Sequence, residues 1–116
     1  MKTLMIVEDE AVVREALCTF FNRKKRDEIK VFPAANGKEA IDTYRDSQPD
    51  CVFLDLGLPD IHGFDVLKSI KTMNAQARVY IVSGYTDPET KAKAKELGAQ
   101  SFISKPVNIS ELLNLV

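Results

Sequence analysis

Five short apolar runs, separated by helix-period segments, recur along this chain, and that alternation restricts the fold more than any other feature. The runs are Leu4-Met5-Ile6-Val7, residues 29–32, Cys51-Val52-Phe53-Leu54, residues 79–82 and the weaker Ser101-Phe102-Ile103. A strand wetted on one face alternates apolar and polar residues. An unbroken run implies cover on both faces, as in a parallel sheet. Between the runs, Val13, Ala16, Leu17, Phe20 and Phe21 give one apolar face to a helix over residues 10–22. Asn36 followed by Glu39 reads as the cap of a second helix carrying Ala40, Ile41 and Tyr44. Phe64, Leu67 and Ile70 mark a third. Asp87-Pro88 reads as N-cap plus first-turn proline of a fourth, with Leu97-Gly98 as its stop. Asn108 with Glu111 opens a fifth helix of about nine residues, containing Leu112, Leu113 and Val116. Strict alternation of five strands and five helices predicts a doubly wound α/β domain with a five-stranded parallel sheet and right-handed crossovers.

The chain of 116 residues suits one domain over residues 1–116, large enough to bury a core without staples. Sixteen basic against seventeen acidic residues leave a formal charge of −1, which argues against a surface that coats nucleic acid. The one basic run, Arg23-Lys24-Lys25-Arg26, reads as a solvated loop. No apolar run approaches the roughly 20 residues of a membrane helix, and no signal-peptide pattern opens the chain. Cys18 and Cys51 lack CxxC spacing and a histidine partner, so they read as packed thiols. His62, the only histidine, reads as a surface residue before a helix. These features describe a compact cytoplasmic domain.

Polar residues fall at the strand tips. Glu8 and Asp9 follow the first run, Asp55 the third, Ser83 the fourth, and Lys105 follows the fifth near Ser104. In a parallel sheet these tips share the carboxyl edge, where open α/β folds bind ligands. The second run ends blandly in Pro33-Ala34-Ala35, which places it at a sheet edge. The inferred strand order is 2-1-3-4-5, with Glu8, Asp9 and Asp55 facing one another across the switch point.

Three carboxylates this close cannot all ionise cheaply without a cation. Hard oxygen ligands suit Mg²⁺, which recruits phosphate oxygens as further ligands. A carboxylate beside such a metal can attack phosphorus and form an aspartyl phosphate. Lys105 supplies a point charge for a phosphoryl oxygen and Ser83 a hydroxyl donor. Each element has a plainer reading: acids after a strand as a helix-start charge bias, Ser83-Gly84 as a turn, Lys105-Pro106 as a strand terminator, Phe102 as core packing. Four polar tips on four strands favour the catalytic reading. The chain has no GxGxxG, GxxxxGK[ST] or GxSxG motif to support a dinucleotide site, a P-loop or a hydrolase elbow.

Over essentially its whole length the sequence resembles the receiver domain of two-component response regulators. Val7-Glu8-Asp9-Glu10 is similar to the family's acidic pair, and Phe53-Leu54-Asp55-Leu56-Gly57-Leu58-Pro59-Asp60, followed by Gly63, to its phosphoacceptor strand and loop. Ser83-Gly84 matches the switch hydroxyl, Phe102 the switch aromatic, and Lys105-Pro106 the active-site lysine with its proline. The resemblance implies the flavodoxin-like receiver fold. It implies that Asp55 accepts a phosphoryl group from a histidine kinase or phosphotransfer protein. Asp9, Asp55 and the Gly57 carbonyl would bind Mg²⁺ directly and Glu8 through water, and a cis bond would precede Pro106. Gly57 stands where related aspartyl-phosphate phosphatases carry a second aspartate, which argues against an enzyme acting on other phosphate esters. Gly57, Gly84 and Tyr85 would border the phosphoryl group and tune its lifetime, with the Tyr85 ring as a shield. Serine at 83, phenylalanine at 102 and glutamate at 8 depart from the commoner threonine, tyrosine and aspartate.

The reading is therefore a phosphorylatable signalling switch that catalyses only its own phosphorylation and dephosphorylation. The alternatives are a pseudo-receiver interaction module that turns over no phosphate and a flavodoxin-like ligand binder. The last would want a Ser/Thr/Gly-rich loop where Glu8-Asp9-Glu10 would repel phosphate. Expected partners are the phosphodonor protein and a downstream effector domain or protein, with phosphorylation-dependent dimerisation as a further contact and no direct binding to nucleic acid or membrane. The short final helix ending on Leu115-Val116 suggests a module cut from, or acting with, a larger protein.

Overall fold

Residues 2–24 and 27–116 are described by a computed structural model. Strands and helices alternate as β1 (Lys2–Val7), α1 (Ala11–Lys24), β2 (Ile29–Ala34), α2 (Gly37–Ser47), β3 (Cys51–Asp55), α3 (Gly63–Met73), β4 (Val79–Ser83), α4 (Pro88–Glu96), β5 (Ser101–Ser104) and α5 (Ile109–Leu115). All strands are parallel, in the order β2-β1-β3-β4-β5.

The unbroken apolar runs are explained by the two cores they feed. Successive side chains of a strand point to opposite faces. Met5, Val7, Val52, Leu54, Val79 and Ile81 enter a core shared with Ala40 and Tyr44 of α2, Val66, Leu67 and Ile70 of α3 and Ala94 of α4. Their neighbours Leu4, Ile6, Cys51, Phe53, Tyr80 and Val82 enter the opposite core with Leu17 and Phe21 of α1 and Leu112 of α5. Aromatic contacts run through this second core from Phe21 to Phe53 (centroids 6.0 Å apart) and from Phe53 to Tyr80 (5.7 Å). The Arg78 guanidinium donates to the Tyr80 hydroxyl (2.8 Å) and to the Leu115 carbonyl at the end of α5 (3.1 Å).

The expected caps form. Asn36 Oδ1 accepts from the Glu39 N–H (2.9 Å), while Glu39 reaches back to the Asn36 amide (3.0 Å). Asp87 Oδ2 accepts from the Thr90 N–H with Pro88 opening the first turn. Gly98, at φ +95°, ends α4 in the left-handed region that glycine enters without a Cβ penalty.

Some boundaries differ from the sequence reading. β1 starts at Lys2, and β2 continues past residue 32 through Pro33, which lies opposite Ile6. Proline is tolerated there because β2 is an edge strand with no second neighbour needing its N–H. α1 extends to Lys24, and Ala16 is exposed rather than on the inward face, because Leu17 and Phe21 set the buried stripe. α5 has seven residues and leaves Val116 outside it. Of the basic run, Arg23 and Lys24 close α1, whereas Lys25 and Arg26 lie outside the described residues. Among the described residues, no helix is long and apolar enough to cross a membrane.

Candidate functional site

The carboxyl edge of the sheet gathers the expected acids. Glu8 leaves the end of β1, its N–H donating to the Ala34 carbonyl (3.0 Å), while the Arg14 guanidinium bonds the Glu8 carbonyl (2.8 Å). The turn that presents Glu8 and Asp9 is thus held from both β2 and α1. Asp55 closes β3 opposite Val82 of β4. One carboxylate oxygen from each of Glu8, Asp9 and Asp55 lies within 4.8 Å of the others. Glu8 and Asp55 are buried and Asp9 is exposed.

Lys105 enters from the segment after β5. Its ammonium donates to Asp55 Oδ2 (2.7 Å) and to Glu8 Oε2 (3.4 Å), and its N–H to the Ser83 carbonyl (2.9 Å). The Lys105–Pro106 peptide is cis, as the resemblance implies. The Gly57 N–H donates to the other Asp55 oxygen (2.9 Å). A Cβ at Gly57 would lie 3.6 Å from that oxygen, an ordinary contact.

Electrostatics separate the two buried carboxyls. Burial, then the adjoining Asp55, push Glu8 up to about 7, with Lys105 offsetting only part of the rise. Burial acts to raise Asp55 as well, but hydrogen bonds from the Glu8 carboxyl, Lys105 and the Gly57 N–H outweigh it and hold Asp55 below its ordinary value. Burial works against the Lys105 charge, yet its contacts to Asp55 and Glu8 raise its pKa overall. Near neutral pH Asp55 is therefore the anionic carboxylate of the buried pair, the state a nucleophile needs.

The donor set fits a hard cation. Three carboxylates converge, one of them solvent-exposed, and hard divalent ions such as Mg²⁺ take oxygen ligands while keeping waters. No sulfur or imidazole donor belongs to this group.

Beyond the cluster, Ser83 is 1% exposed at the tip of β4, and its Oγ accepts from the Tyr85 N–H (3.0 Å). A Cβ built on Gly84 would meet nothing within 4 Å, so this side of the site is open. Tyr85 is 66% exposed, and in this state the ring stands in solvent. Phe102 is half-buried against the α2–α3–α4 core, with the Lys91 ammonium 5.8 Å from its ring centroid. The structure thus brings Glu8, Asp9, Asp55, Gly57 and Lys105 together, with Ser83 on the adjoining strand tip and Phe102 farther along the α4 side.

Three residues named in the sequence make contacts that it did not announce. Asp60, in the loop after β3, accepts from the Gly37 and Lys38 N–H groups (2.8 and 3.0 Å), tying the Asp55 loop to the start of α2. These bonds hold Asp60 below its ordinary value. His62 is exposed as expected but also caps α3, its Nδ1 accepting from the Phe64 N–H (3.0 Å). Gly63 is sterically required: a Cβ there would stand 2.6 Å from Leu56 Cα and 2.9 Å from the Asp55 carbonyl oxygen. The Asp60 and Gly63 contacts are tertiary, and no local spacing announces them. The His62 cap could have been sought from its place just before a helix start. The thiols behave as read: burial pushes Cys51 up to about 11, and raises Cys18 too.

The family model described as "Response regulator receiver domain" matches residues 4–116. Sporulation initiation phosphotransferase F of Bacillus subtilis is 34% identical over 97% of this chain and 89% of its own length. A cyclic di-GMP phosphodiesterase of Thermotoga maritima is 37% identical over 97% of this chain, which spans only 29% of that protein. A CheY-like receiver domain protein from Methanospirillum hungatei superposes with a TM-score of 0.90 over 99% of this chain and 90% of its own. At 23% identity, that likeness speaks for the fold.

Proposed function

Because the chain belongs to the response regulator receiver family, we propose that it works as a phosphorylation-dependent signalling switch with Asp55 as the phosphoacceptor. The observation that carries this reading is the Lys105 ammonium 2.7 Å from Asp55, beside two further carboxylates. In the reaction an Asp55 oxygen attacks phosphorus, the P–N bond of a donor phosphohistidine breaks, and the imidazole leaves with the bond's electrons. Lys105 exchanges its contact with the carboxylate for one with a phosphoryl oxygen, and the Ser83 hydroxyl donates to another. Glu8, Asp9, Asp55 and the Gly57 carbonyl would hold Mg²⁺, which when bound offsets the repulsion between an anionic donor and this acidic cluster.

Ser83 and Tyr85 are linked before any phosphate arrives. Moving the Ser83 hydroxyl toward the new group strains or breaks the bond it accepts from the Tyr85 N–H, so the loop before α4 must respond. The vacated space can be filled by Phe102, which has no hydroxyl and moves on packing alone. Phosphate stabilises this arrangement only to the extent that it makes better contacts there than in the open one.

The phosphodonor is a histidine kinase or phosphotransfer protein, and the readout is an effector domain or protein, with dimerisation on phosphorylation as one form of it. The domain over residues 1–116 is a cytoplasmic module of, or companion to, a larger protein. It contacts neither nucleic acid nor membrane itself, and it catalyses only its own phosphorylation and dephosphorylation. The intact acid set and Lys105 favour this over a pseudo-receiver.

Intact mass after incubation with a small acyl phosphate and Mg²⁺ tests the assignment. One phosphoryl group should be gained by the wild type and none by Asp55→Asn. Asp9→Ala should weaken metal binding. An undiminished adduct in Asp55→Asn, or in excess chelator, would sink the reading.

A further inference from the structure

Between α1, α5 and the sheet lies a cavity of about 470 Å³ that opens onto the acid cluster. Val13, Leu17, Phe53, Val82 and Leu112 form its walls. Glu8, Glu10, Asp55 and Lys105 stand at its mouth. We propose that this cavity binds a small hydrophobic amine, with the ammonium at the mouth and an apolar body of up to two rings between α1 and α5.

Volume and lining support an organic occupant. Pockets for small molecules run from roughly 300 to 1,000 Å³, and an apolar cavity of about 150 Å³ already admits benzene. The walls offer water no hydrogen-bond partners, whereas a buried water needs two to four. Charge at the mouth selects the head group. The carboxylates of Asp55 and Glu10 face one ammonium there, with the Glu8 carboxyl beside them, and Lys105 is already engaged by Asp55 and Glu8. An anionic head would meet those carboxylates without a free cation to answer it, while a cationic head finds the exposed Glu10. The apolar body separates this subsite from a bare metal site, because a divalent ion makes no use of the walls.

The test uses the unphosphorylated, metal-free chain, so its outcome does not depend on Asp55 being the phosphoacceptor. Methyl resonances are followed while 1-naphthylmethylamine is titrated, with 1-naphthylacetate as the anionic counterpart. The methyls of Val13, Leu17, Val82 and Leu112 should shift saturably, and the carboxylate should bind at least about tenfold more weakly. Val107, before α5, also lines the cavity, and Val13→Phe and Val107→Phe, which add bulk from two different segments, should each weaken the amine by about tenfold or more while phosphorylation by a small donor is retained. Methyls that stay unmoved to the solubility limit overturn the proposal. So does equal binding of amine and carboxylate, or undiminished binding in both filled variants.

Discussion

Replacing Gly63 by alanine adds one carbon where the backbone leaves no room. The new Cβ would stand 2.6 Å from Leu56 Cα, 2.8 Å from Leu56 Cδ2 and 2.9 Å from the Asp55 carbonyl oxygen. Two of those atoms are backbone, so the strain cannot be relieved by turning a flexible side chain. Overpacking of this kind costs about 1–3 kcal/mol. With an unfolding entropy of roughly 2.1 cal/mol/K per residue, a chain of this length loses about 4 °C of melting temperature per kcal/mol, so a drop of roughly 4–12 °C is expected. The strain also falls on the peptide that carries Asp55, the proposed acceptor. A shift of about 1 Å at a reacting group can cost up to about 100-fold in rate, so phosphorylation by a small donor should slow at least about tenfold. Two controls set the scale. Gly57→Ala places its Cβ in ordinary contact with Asp55 Oδ1 at 3.6 Å, and Gly84→Ala meets nothing within 4 Å. Thermal unfolding followed by circular dichroism, with phosphorylation followed by intact mass, should rank Gly63→Ala well below both. If Gly63→Ala melts and reacts like Gly57→Ala, the close approach between α3 and the Asp55 loop plays no part in either property.

Asp60 is held below its usual pKa, near 3.8, first by the Gly37 N–H and then by the Lys38 and Ile61 N–H groups. A depressed carboxyl stabilises the fold fully above its unfolded value and loses that contribution as pH falls through the folded one. The melting-temperature advantage of wild type over Asp60→Asn should be constant between about pH 5 and 7 and shrink below about pH 4; a constant difference to pH 3 contradicts the cap. Ser83→Ala should abolish the amide shifts that a phosphate analogue causes in α4 and β5, and unchanged shifts would break the proposed link. Tyr85→Ala should shorten the phosphorylated lifetime and Tyr85→Phe leave it nearly unchanged, which requires the exposed ring to fold inward after phosphorylation. A longer lifetime in Tyr85→Ala would assign the hydroxyl to holding the attacking water.

The helices were legible from their period and caps, and the strands with the acid cluster from one further physical fact. A strand buried on both faces writes a continuous apolar run, and the next polar residue marks its carboxyl tip. Pro33 shows where that signal blurs: at an edge, the pairing with Ile6 continues through a residue that normally breaks strands. Ala16 shows another limit, since an alanine suits either side of a helix and only the neighbours decide. Asp60 and Gly63 stand in the loop motif, but their contacts were unreadable for a different reason. Their roles are contacts between a loop and an element up to 23 residues away, set by three-dimensional approach rather than by spacing. Tyr85 could be placed beside the site, but the direction of its ring is a property of the loop conformation.

The edge position of β5 has a consequence for how the molecule fails on heating. Glu8 and Asp9 directly follow β1 and Asp55 ends β3, strands each paired on both sides, whereas Lys105 follows a four-residue strand paired on one side only. Edge elements open locally at a lower free energy than the whole domain unfolds. Release of β5 and α5 carries Lys105 away from Asp55 while the central strands keep their hydrogen bonds. If Asp55 is the acceptor, competence for phosphorylation should therefore be lost some degrees below the global melting transition. Amides of residues 101–104 should exchange with solvent faster than those of β1 and β3, making the lysine the first part of the centre to become intermittent.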